Sequence, residues 1–225
     1  MRALALTLAL CATSVAAQDT SCASDAMIVF DGSGSMAEMG FNNIDEPRIF
    51  EARRAMAQAI PQIADLRRLG LVIYGPGGPD SCAGLDLRFA PLRNAAGRIL
   101  SDINGLQPAG DTALTQAVAL AAKTLRAGAK PGTIVLVTDG KETCGGAPCQ
   151  LAAELVATSY DLTIHVIGFK VRGDRFSWSQ TSDYQQSVSV ARCLAERTGG
   201  LYLGAETVDD LVSALRKTLG CQLMF

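Results

Sequence analysis

Three oxygen-bearing side chains alternate along the segment Asp31-Gly32-Ser33-Gly34-Ser35, which directly follows an apolar run. In an extended loop every second side chain points the same way, so one carboxylate and two hydroxyls would share one side. The glycines between them permit tight backbone geometry. Taken alone, the pattern also fits a glycine and serine turn in which the aspartate caps the backbone. The segment is therefore a candidate ligand loop that needs support from elsewhere in the chain.

Two further segments supply oxygen atoms that the same site could use. Asp139 follows a second apolar run, and Thr112 lies at the start of a predicted helix that opens near Asp111. Hard divalent cations such as Mg²⁺ and Mn²⁺ prefer oxygen ligands, and Mg²⁺ takes about six of them while keeping some waters. Because hydroxyls carry no charge, such a site would leave the cation able to accept a carboxylate from outside. The candidate metal ligands are Asp31, Ser33, Ser35, Thr112 and Asp139.

The elements that must position these loops alternate between strands and helices. Short apolar runs predict strands, and apolar side chains at a spacing of three or four residues predict helices between them. This order is typical of an α/β protein with three layers, in which a doubly wound, mostly parallel, six-stranded sheet carries helices on both faces. The second and third predicted strands are too close for a helical crossover, so they should form a hairpin with one antiparallel edge strand.

The same topology predicts where the ligand loops meet. In doubly wound sheets, ligands bind at the carboxyl ends of the strands, where the strand order switches direction. Two apolar strands end in Asp-Gly, at Asp31-Gly32 and at Asp139-Gly140. If these strands are neighbours, both carboxylates converge at the switch point.

Three sequence segments, MIVFDGSGSM, AGDTAL and IVLVTDG, resemble the metal-ion-dependent adhesion site (MIDAS) of von Willebrand factor type A (vWA) domains in order and spacing. The resemblance extends over residues 25–219 and implies that the two serines and the threonine contact the metal. It also implies that the two aspartates act directly or through water. Later segments, including VTDGKETCGGAPC, resemble exported bacterial members of the family. Two acidic side chains, Asp111 and Glu142, could lie next to the ligands without contacting the metal. Asp111 could instead cap its helix.

The N-terminus predicts export from the cytoplasm. Arg2 precedes an apolar stretch at residues 3–12, and small residues end at Ala17 before Gln18. This pattern is typical of a signal peptide over residues 1–17, which leaves residues 18–225 as a single vWA domain. No later segment approaches the roughly 20 apolar residues of a membrane span. We therefore expect a periplasmic or secreted protein without a transmembrane segment.

Six cysteines remain once Cys11 is discarded with the signal peptide. An even number of cysteines in an exported protein favours disulfides. The alternative is a zinc site at Cys144 and Cys149, although no second cysteine pair follows and His165 is the only histidine. The predicted order of the elements, and elimination for the last pair, indicate the disulfides Cys22–Cys221, Cys144–Cys149 and Cys82–Cys193.

Charge and motifs narrow the function classes. The net charge of −2 and the lack of a basic tract argue against nucleic acid or an anionic membrane as a partner. The favoured function is a non-enzymatic adhesion or assembly module, monomeric on its own, that captures an acidic group of a protein partner through Mg²⁺ or Mn²⁺. A metal-dependent hydrolase is one alternative, for which only Asp111 and Glu142 could serve as the base. A structural envelope protein, whose metal only stabilises the fold, is the other.

Two loops beside the predicted site could select the partner. Residues 36–43 include Met39 and Phe41, and residues 172–187 include Phe176, Trp178 and Tyr184. Aromatic side chains on such loops often anchor protein partners. Ordinary loop packing, or attachment of the second loop to the helix below, would explain the same residues.

Overall fold

The computed structural model describes residues 24–39, 46–77, 81–126, 131–158, 161–171 and 191–221. The predicted signal peptide at residues 1–17 lies outside these ranges, as do Cys22, Phe41, Phe176, Trp178 and Tyr184. None of the helices in these ranges combines the length and apolar character that crossing a membrane requires.

Six strands form one sheet, and their bounds are β1 (Asp25–Asp31), β2 (Leu69–Tyr74), β3 (Leu85–Leu92), β4 (Gly132–Thr138), β5 (Leu162–Phe169) and β6 (Tyr202–Ala205). Their order across the sheet is β3-β2-β1-β4-β5-β6. Every neighbouring pair is parallel except β2 and β3, which form the antiparallel hairpin at one edge. The predicted α/β class is confirmed, with six strands and one antiparallel edge strand.

Helices cover both faces of the sheet, and they are α1 (Arg48–Ala64), α2 (Ala96–Gly105), α3 (Leu114–Arg126), α4 (Pro148–Ala157), α5 (residues 191–197) and α6 (Val208–Leu219). Side chains of β1 alternate between two cores. Ile28 and Phe30 belong to the core with α1, α2 and α6, whereas Met27 and Val29 belong to the core with α3, α4 and α5. Both faces of β1 are buried, which explains why it reads as a continuous apolar run.

Arg67 joins the chain ends of the domain, away from the carboxyl ends of the parallel strands. Its buried guanidinium donates to the carbonyl of Ser24 at 2.9 Å and to the carbonyl of Leu219 at 3.1 Å. These bonds hold the residue before β1 against the end of α6. The sequence predicts that a Cys22–Cys221 disulfide joins the same two ends of the chain. Cys221 is disulfide-bonded, and its pairing with Cys22 stays a prediction.

Two disulfides between described residues correct the predicted pairing. Cys82 is bonded to Cys144, and Cys149 is bonded to Cys193. The predicted pairs Cys144–Cys149 and Cys82–Cys193 are therefore wrong. The physical reason is that Cys144 lies in the loop after β4, beside the β2–β3 connection, whereas Cys149 lies in the first turn of α4 and bonds to α5. Because these four sulfurs form disulfides, they do not form the alternative zinc site.

Candidate metal centre

Asp31, the last residue of β1, lies buried where β1 meets β4. Its Oδ1 accepts hydrogen bonds from the backbone N–H of Ser33 at 2.9 Å and from Ser33 Oγ at 2.6 Å. Its Oδ2 accepts from Thr138 Oγ1 at 2.9 Å and from the backbone N–H of Asp139 at 3.3 Å. Donors from both strand ends therefore fix the orientation of this carboxylate.

The other predicted ligands surround the same point. Ser35 Oγ donates to Asp139 Oδ1 at 2.6 Å and lies 3.0 Å from Ser33 Oγ. A methyl group added at Gly140 would lie 3.8 Å from Ser35 Oγ and 4.0 Å from Thr112 Oγ1, so both hydroxyls border the space beside Gly140. The structure thus brings Asp31, Ser33, Ser35, Thr112 and Asp139 together at the carboxyl ends of β1 and β4.

Hydrogen bonds between backbones hold the three ligand loops in register. The N–H of Gly34 donates to the carbonyl of Gly110 at 3.0 Å, which joins the first loop to the second. The N–H of Thr143 donates to the carbonyl of Thr112 at 3.1 Å, and the N–H of Thr112 donates to Thr143 Oγ1 at 2.8 Å. These bonds join the second loop to the third. The loops therefore form one connected layer above the sheet.

Gly75 supports the first ligand loop from below. Its φ of 95° lies in the left-handed region that favours glycine. A Cβ at this position would lie only 2.2 Å from the backbone nitrogen of Ser33, a distance that no side chain can accommodate. The residue after β2 must therefore be glycine for the Ser33 turn to lie this close.

Arg48, the first residue of α1, is a site residue that the sequence analysis misses. Its Nη1 donates to Asp139 Oδ2 at 3.1 Å, to the carbonyl of Ser35 at 3.0 Å and to Glu38 Oε2 at 3.3 Å. Only 11% of its side chain is exposed, whereas 68% of the Glu38 side chain is exposed. A single arginine in the first turn of a helix carries no sequence signal, because most such side chains are solvated.

Thr138 and Tyr74 are also missed, although Thr138 directly precedes a predicted ligand. The hydroxyl of Tyr74 donates to Thr138 Oγ1 at 3.0 Å, and Thr138 in turn donates to Asp31. Burial raises the pKa of Tyr74 well above its usual value, and the charge of Asp31 acts in the same direction. The phenol therefore stays protonated and donates a hydrogen bond to the support of Asp31.

The electrostatics of the two carboxylates favour a cation. Burial, followed by the charge of Asp31, raises the pKa of Asp139 to about 7, although the hydrogen bond from Ser35 and the charge of Arg48 oppose the rise. A single guanidinium therefore does not fully compensate two buried carboxylates. A donor set of carboxylate and hydroxyl oxygens is what hard divalent cations prefer. The residues present thus fit a divalent metal ion.

Glu142 and Asp111 are engaged elsewhere. Glu142 Oε2 accepts from the backbone N–H of Thr115 at 2.8 Å, and its Oε1 accepts from the N–H of Cys144 at 2.9 Å. It therefore caps the first turn of α3, a role that the sequence analysis offers for Asp111 instead. Asp111 Oδ2 lies 3.8 Å from Cys82 Sγ, beside the Cys82–Cys144 disulfide. The carboxylates of both residues thus support the loops behind the candidate metal ligands.

Met39 is the one predicted partner-binding residue that lies within the described ranges. It forms an isolated β-bridge with Pro47, next to Arg48, and is 59% exposed. Phe50, which the sequence analysis does not single out, lies in the first turn of α1 and is 46% exposed. Two exposed apolar side chains therefore accompany the helix turn that carries Arg48.

Comparisons with known proteins agree with this architecture. The family model of the von Willebrand factor type A domain matches residues 26–142, a stretch that contains all three ligand loops. The uncharacterized protein YwmD of Bacillus subtilis (strain 168) is 27% identical over 201 residues, which cover 84% of this chain and 82% of the relative.

Solved structures show the same fold. A von Willebrand factor type A protein from Catenulispora acidiphila matches with a TM-score of 0.63 and 19% identity, covering 88% of this chain and 42% of its own. The pilus adhesin SpaC from Lactobacillus rhamnosus GG matches with a TM-score of 0.63 and 13% identity, and the match covers 87% of this chain and 30% of the adhesin chain. Proximal thread matrix protein 1 from the mussel byssus, with a zinc occupied MIDAS motif, matches with a TM-score of 0.57 and 17% identity. This match covers 88% of this chain and 45% of the mussel chain. The chain thus spans less than half the length of each of these three structures.

Proposed function

The chain belongs to the von Willebrand factor type A domain family, and from this premise we propose that it is an exported, metal-dependent protein-binding module. It captures an acidic group of a protein partner through a bound Mg²⁺ or Mn²⁺. The observation that carries the proposal is the convergence of two buried carboxylates and three hydroxyls at one end of the sheet. The residues that would hold the cation form the proposed ligand cluster, and they are Asp31, Ser33, Ser35, Thr112 and Asp139.

The ligand set explains why such a cation would bind an external carboxylate. A bound divalent ion supplies Lewis acidity toward an incoming anion. Three of the five proposed ligands are neutral hydroxyls, so the ligands bring at most two negative charges, which balance the ion and leave no excess negative charge to repel a carboxylate. Asp31 and Asp139 are already oriented by Ser33, Thr138 and Ser35, which lowers the cost of arranging them when the ion binds.

A binding role is favoured over hydrolysis because the nearby carboxylates have other roles. Glu142 caps α3, and Asp111 lies against a disulfide, so each of these carboxylates already has a structural role in place of that of a general base. Two disulfides support an exported location, in the periplasm or outside the cell, because disulfides persist in oxidising compartments. Kinship in fold with a pilus adhesin supports an adhesion or assembly role.

Calorimetric titration of residues 18–225 with Mg²⁺ and Mn²⁺ tests the metal site. We expect binding by the wild type and loss of binding in Asp31→Asn, which keeps the side-chain shape but removes the charge. Asp65→Asn, which removes an exposed charge at the opposite end of α1, should bind like the wild type. Wild-type protein that binds neither ion would refute the proposal.

A pull-down from the envelope fraction of the source organism tests partner capture. We expect a partner that is retained with Mg²⁺ and released by chelator, and that the Asp31→Asn variant does not retain. Retention that is the same with metal and with chelator would instead favour the structural role, in which the ion only stabilises the fold.

A further inference from the structure

We propose that Arg48 makes the metal-loaded site cationic and thereby strengthens the binding of an acidic ligand to that loaded site. The inference rests on the proposed function, because it assumes that a divalent ion binds at the five ligands. It assigns to Arg48 a selective role that none of those ligands supplies, namely discrimination in favour of anionic partners.

The position of the guanidinium supports this role. Arg48 Nη1 lies 3.1 Å from Asp139 Oδ2 and 3.0 Å from the carbonyl of Ser35, so it contacts two residues of the ligand cluster directly. Its other acidic neighbour, Glu38, is 68% exposed and is screened by solvent. The charge of Arg48 therefore acts mainly on the metal site.

Its burial indicates that the charge is placed there at some cost. The side chain is only 11% exposed, and its Nε is buried without a hydrogen-bond partner among the described residues. A buried donor without a partner disfavours folding, so packing alone does not account for an arginine here. Local costs of this kind are expected at functional sites.

A charge count gives the direction of the effect of Arg48 on each binding step. Asp31 and Asp139, when ionised, contribute −2, and Arg48 brings the sum to −1. A divalent ion changes the sum to +1, and one incoming carboxylate then brings it to zero. Without Arg48 the loaded site would be neutral before the carboxylate arrives and negative afterwards. Arg48 therefore opposes binding of the metal and favours binding of the acid to the metal-loaded site.

Because coupling between two ligands is reciprocal, the acid should tighten metal binding by the same factor by which the metal tightens acid binding. A unit charge beside the ligand cluster and partly shielded from water should change the affinity about tenfold. That change corresponds to about 1.4 kcal/mol. The effect is large enough to measure with the metal and a simple carboxylate as probes.

Mn²⁺ titration of the wild type, Arg48→Gln and Arg48→Lys, with and without acetate, tests the proposal. Acetamide at the same concentration and chloride at the same ionic strength serve as controls. Without acetate, we expect Arg48→Gln to bind Mn²⁺ about tenfold more tightly than the wild type. A fixed acetate concentration, below saturation, should tighten Mn²⁺ binding in the wild type more than in Arg48→Gln, because acetate binds the loaded wild-type site more tightly. Arg48→Lys keeps the charge and should behave like the wild type.

Arg126→Gln is the matched control, since it removes one positive charge at the last residue of α3, away from the ligand loops. Thermal melting of each variant verifies that it is folded. If Arg48→Gln binds Mn²⁺ with unchanged or weaker affinity, or if acetate acts equally on both proteins, Arg48 only positions Asp139 and the inference is overturned. Wild-type protein that binds no Mn²⁺ would overturn the proposed function as well, which separates the two failures.

Discussion

Individual side chains of the proposed ligand cluster are already oriented by hydrogen bonds without an ion. Asp31 accepts hydrogen bonds on both carboxylate oxygens, and Ser35 links Ser33 to Asp139 through its hydroxyl. Bonds from Tyr74 to Thr138 extend this support into the core. Orientation of this kind reduces the side-chain entropy that would be lost when a divalent ion binds. Fewer charged ligands are then needed to hold the ion.

His165 illustrates a residue whose environment argues against a ligand role. It lies in β5, and its Nδ1 accepts a hydrogen bond from the backbone N–H of Leu201 at 3.0 Å. Burial, and to a smaller degree the charge of Arg67, lowers its pKa below the usual value. The neutral imidazole is therefore the form that the fold prefers, as expected for a packed histidine.

This lowered pKa predicts a pH dependence of stability. Because the folded-state pKa lies below the unfolded value of about 6.5, the neutral histidine stabilises the fold above that pH. The contribution is lost as pH falls from about 6.5 toward the folded-state pKa. We expect the free energy of unfolding, measured with urea, to fall more over this window in the wild type than in His165→Gln.

The comparison is made between the two proteins because Asp139 titrates in an overlapping range and contributes a slope of opposite sign. Because its pKa is raised from 3.8 to about 7 in the folded state, metal-free protein loses stability as the pH rises between these two values. The difference between wild type and variant removes that shared contribution. Parallel curves for the two proteins would show that His165 does not titrate differently in the folded state.

Among the elements, the two disulfides between described residues have separate roles. Cys82–Cys144 joins the β2–β3 connection to the loop after β4, next to Asp111 and Glu142, whereas Cys149–Cys193 joins α4 to α5. The sequence separations are 62 and 44 residues, so the chain entropies that the two bonds remove are similar. Their positions, however, differ with respect to the ligand loops.

Replacing each cysteine pair by serines should therefore separate stability from metal affinity. Both double variants should lose about 2–5 kcal/mol of unfolding free energy, as is typical of native disulfides. Only Cys82→Ser/Cys144→Ser should also bind Mn²⁺ several-fold more weakly, because it frees the loops that carry Thr112 and Asp139. Calorimetry at a temperature where both variants are folded measures this, and equal Mn²⁺ affinities would contradict the assignment.

The order of elements, and hence the convergence of Asp31 with Asp139, could be predicted because apolar runs and helical spacing are local signals. The same signals cannot reveal which loops meet above the sheet. Arg48 reaches Asp139 only because residues after the first ligand loop return to the start of α1. The buried ion pair of Lys170 with Glu51, at 2.6 Å, likewise depends on how α1 crosses the end of β5.

The two disulfide predictions are wrong for the same reason, namely that local sequence signals do not show which loops meet. The spacing of Cys144 and Cys149 suggests a short closed loop, and nothing in the spacing reports that the chain turns into α4 between them. Their true partners, Cys82 and Cys193, lie on elements that approach from opposite sides. Pairing of cysteines is a property of the packed molecule, so a sequence with six of them leaves several connectivities open.

For the whole molecule, the proposed metal site would be thermodynamically linked to the fold. Its ligands come from loops after β1, before α3 and after β4, and these loops are adjacent only in the folded chain. An ion held by all three loops would therefore bind the native state and not the unfolded chain. At a free concentration 100 times the dissociation constant, such an ion stabilises the fold by about 2.7 kcal/mol.

This linkage predicts that Mg²⁺ or Mn²⁺ raises the melting temperature of residues 18–225 by about 5–10 °C, given the size of the domain. Chelator should reverse the rise, and Asp31→Asn should show none, whereas Asp65→Asn should respond like the wild type. Differential scanning calorimetry measures the effect directly. An equal rise in Asp31→Asn would mean that the ion acts elsewhere on the protein, because that variant lacks the carboxylate on which the proposed site depends.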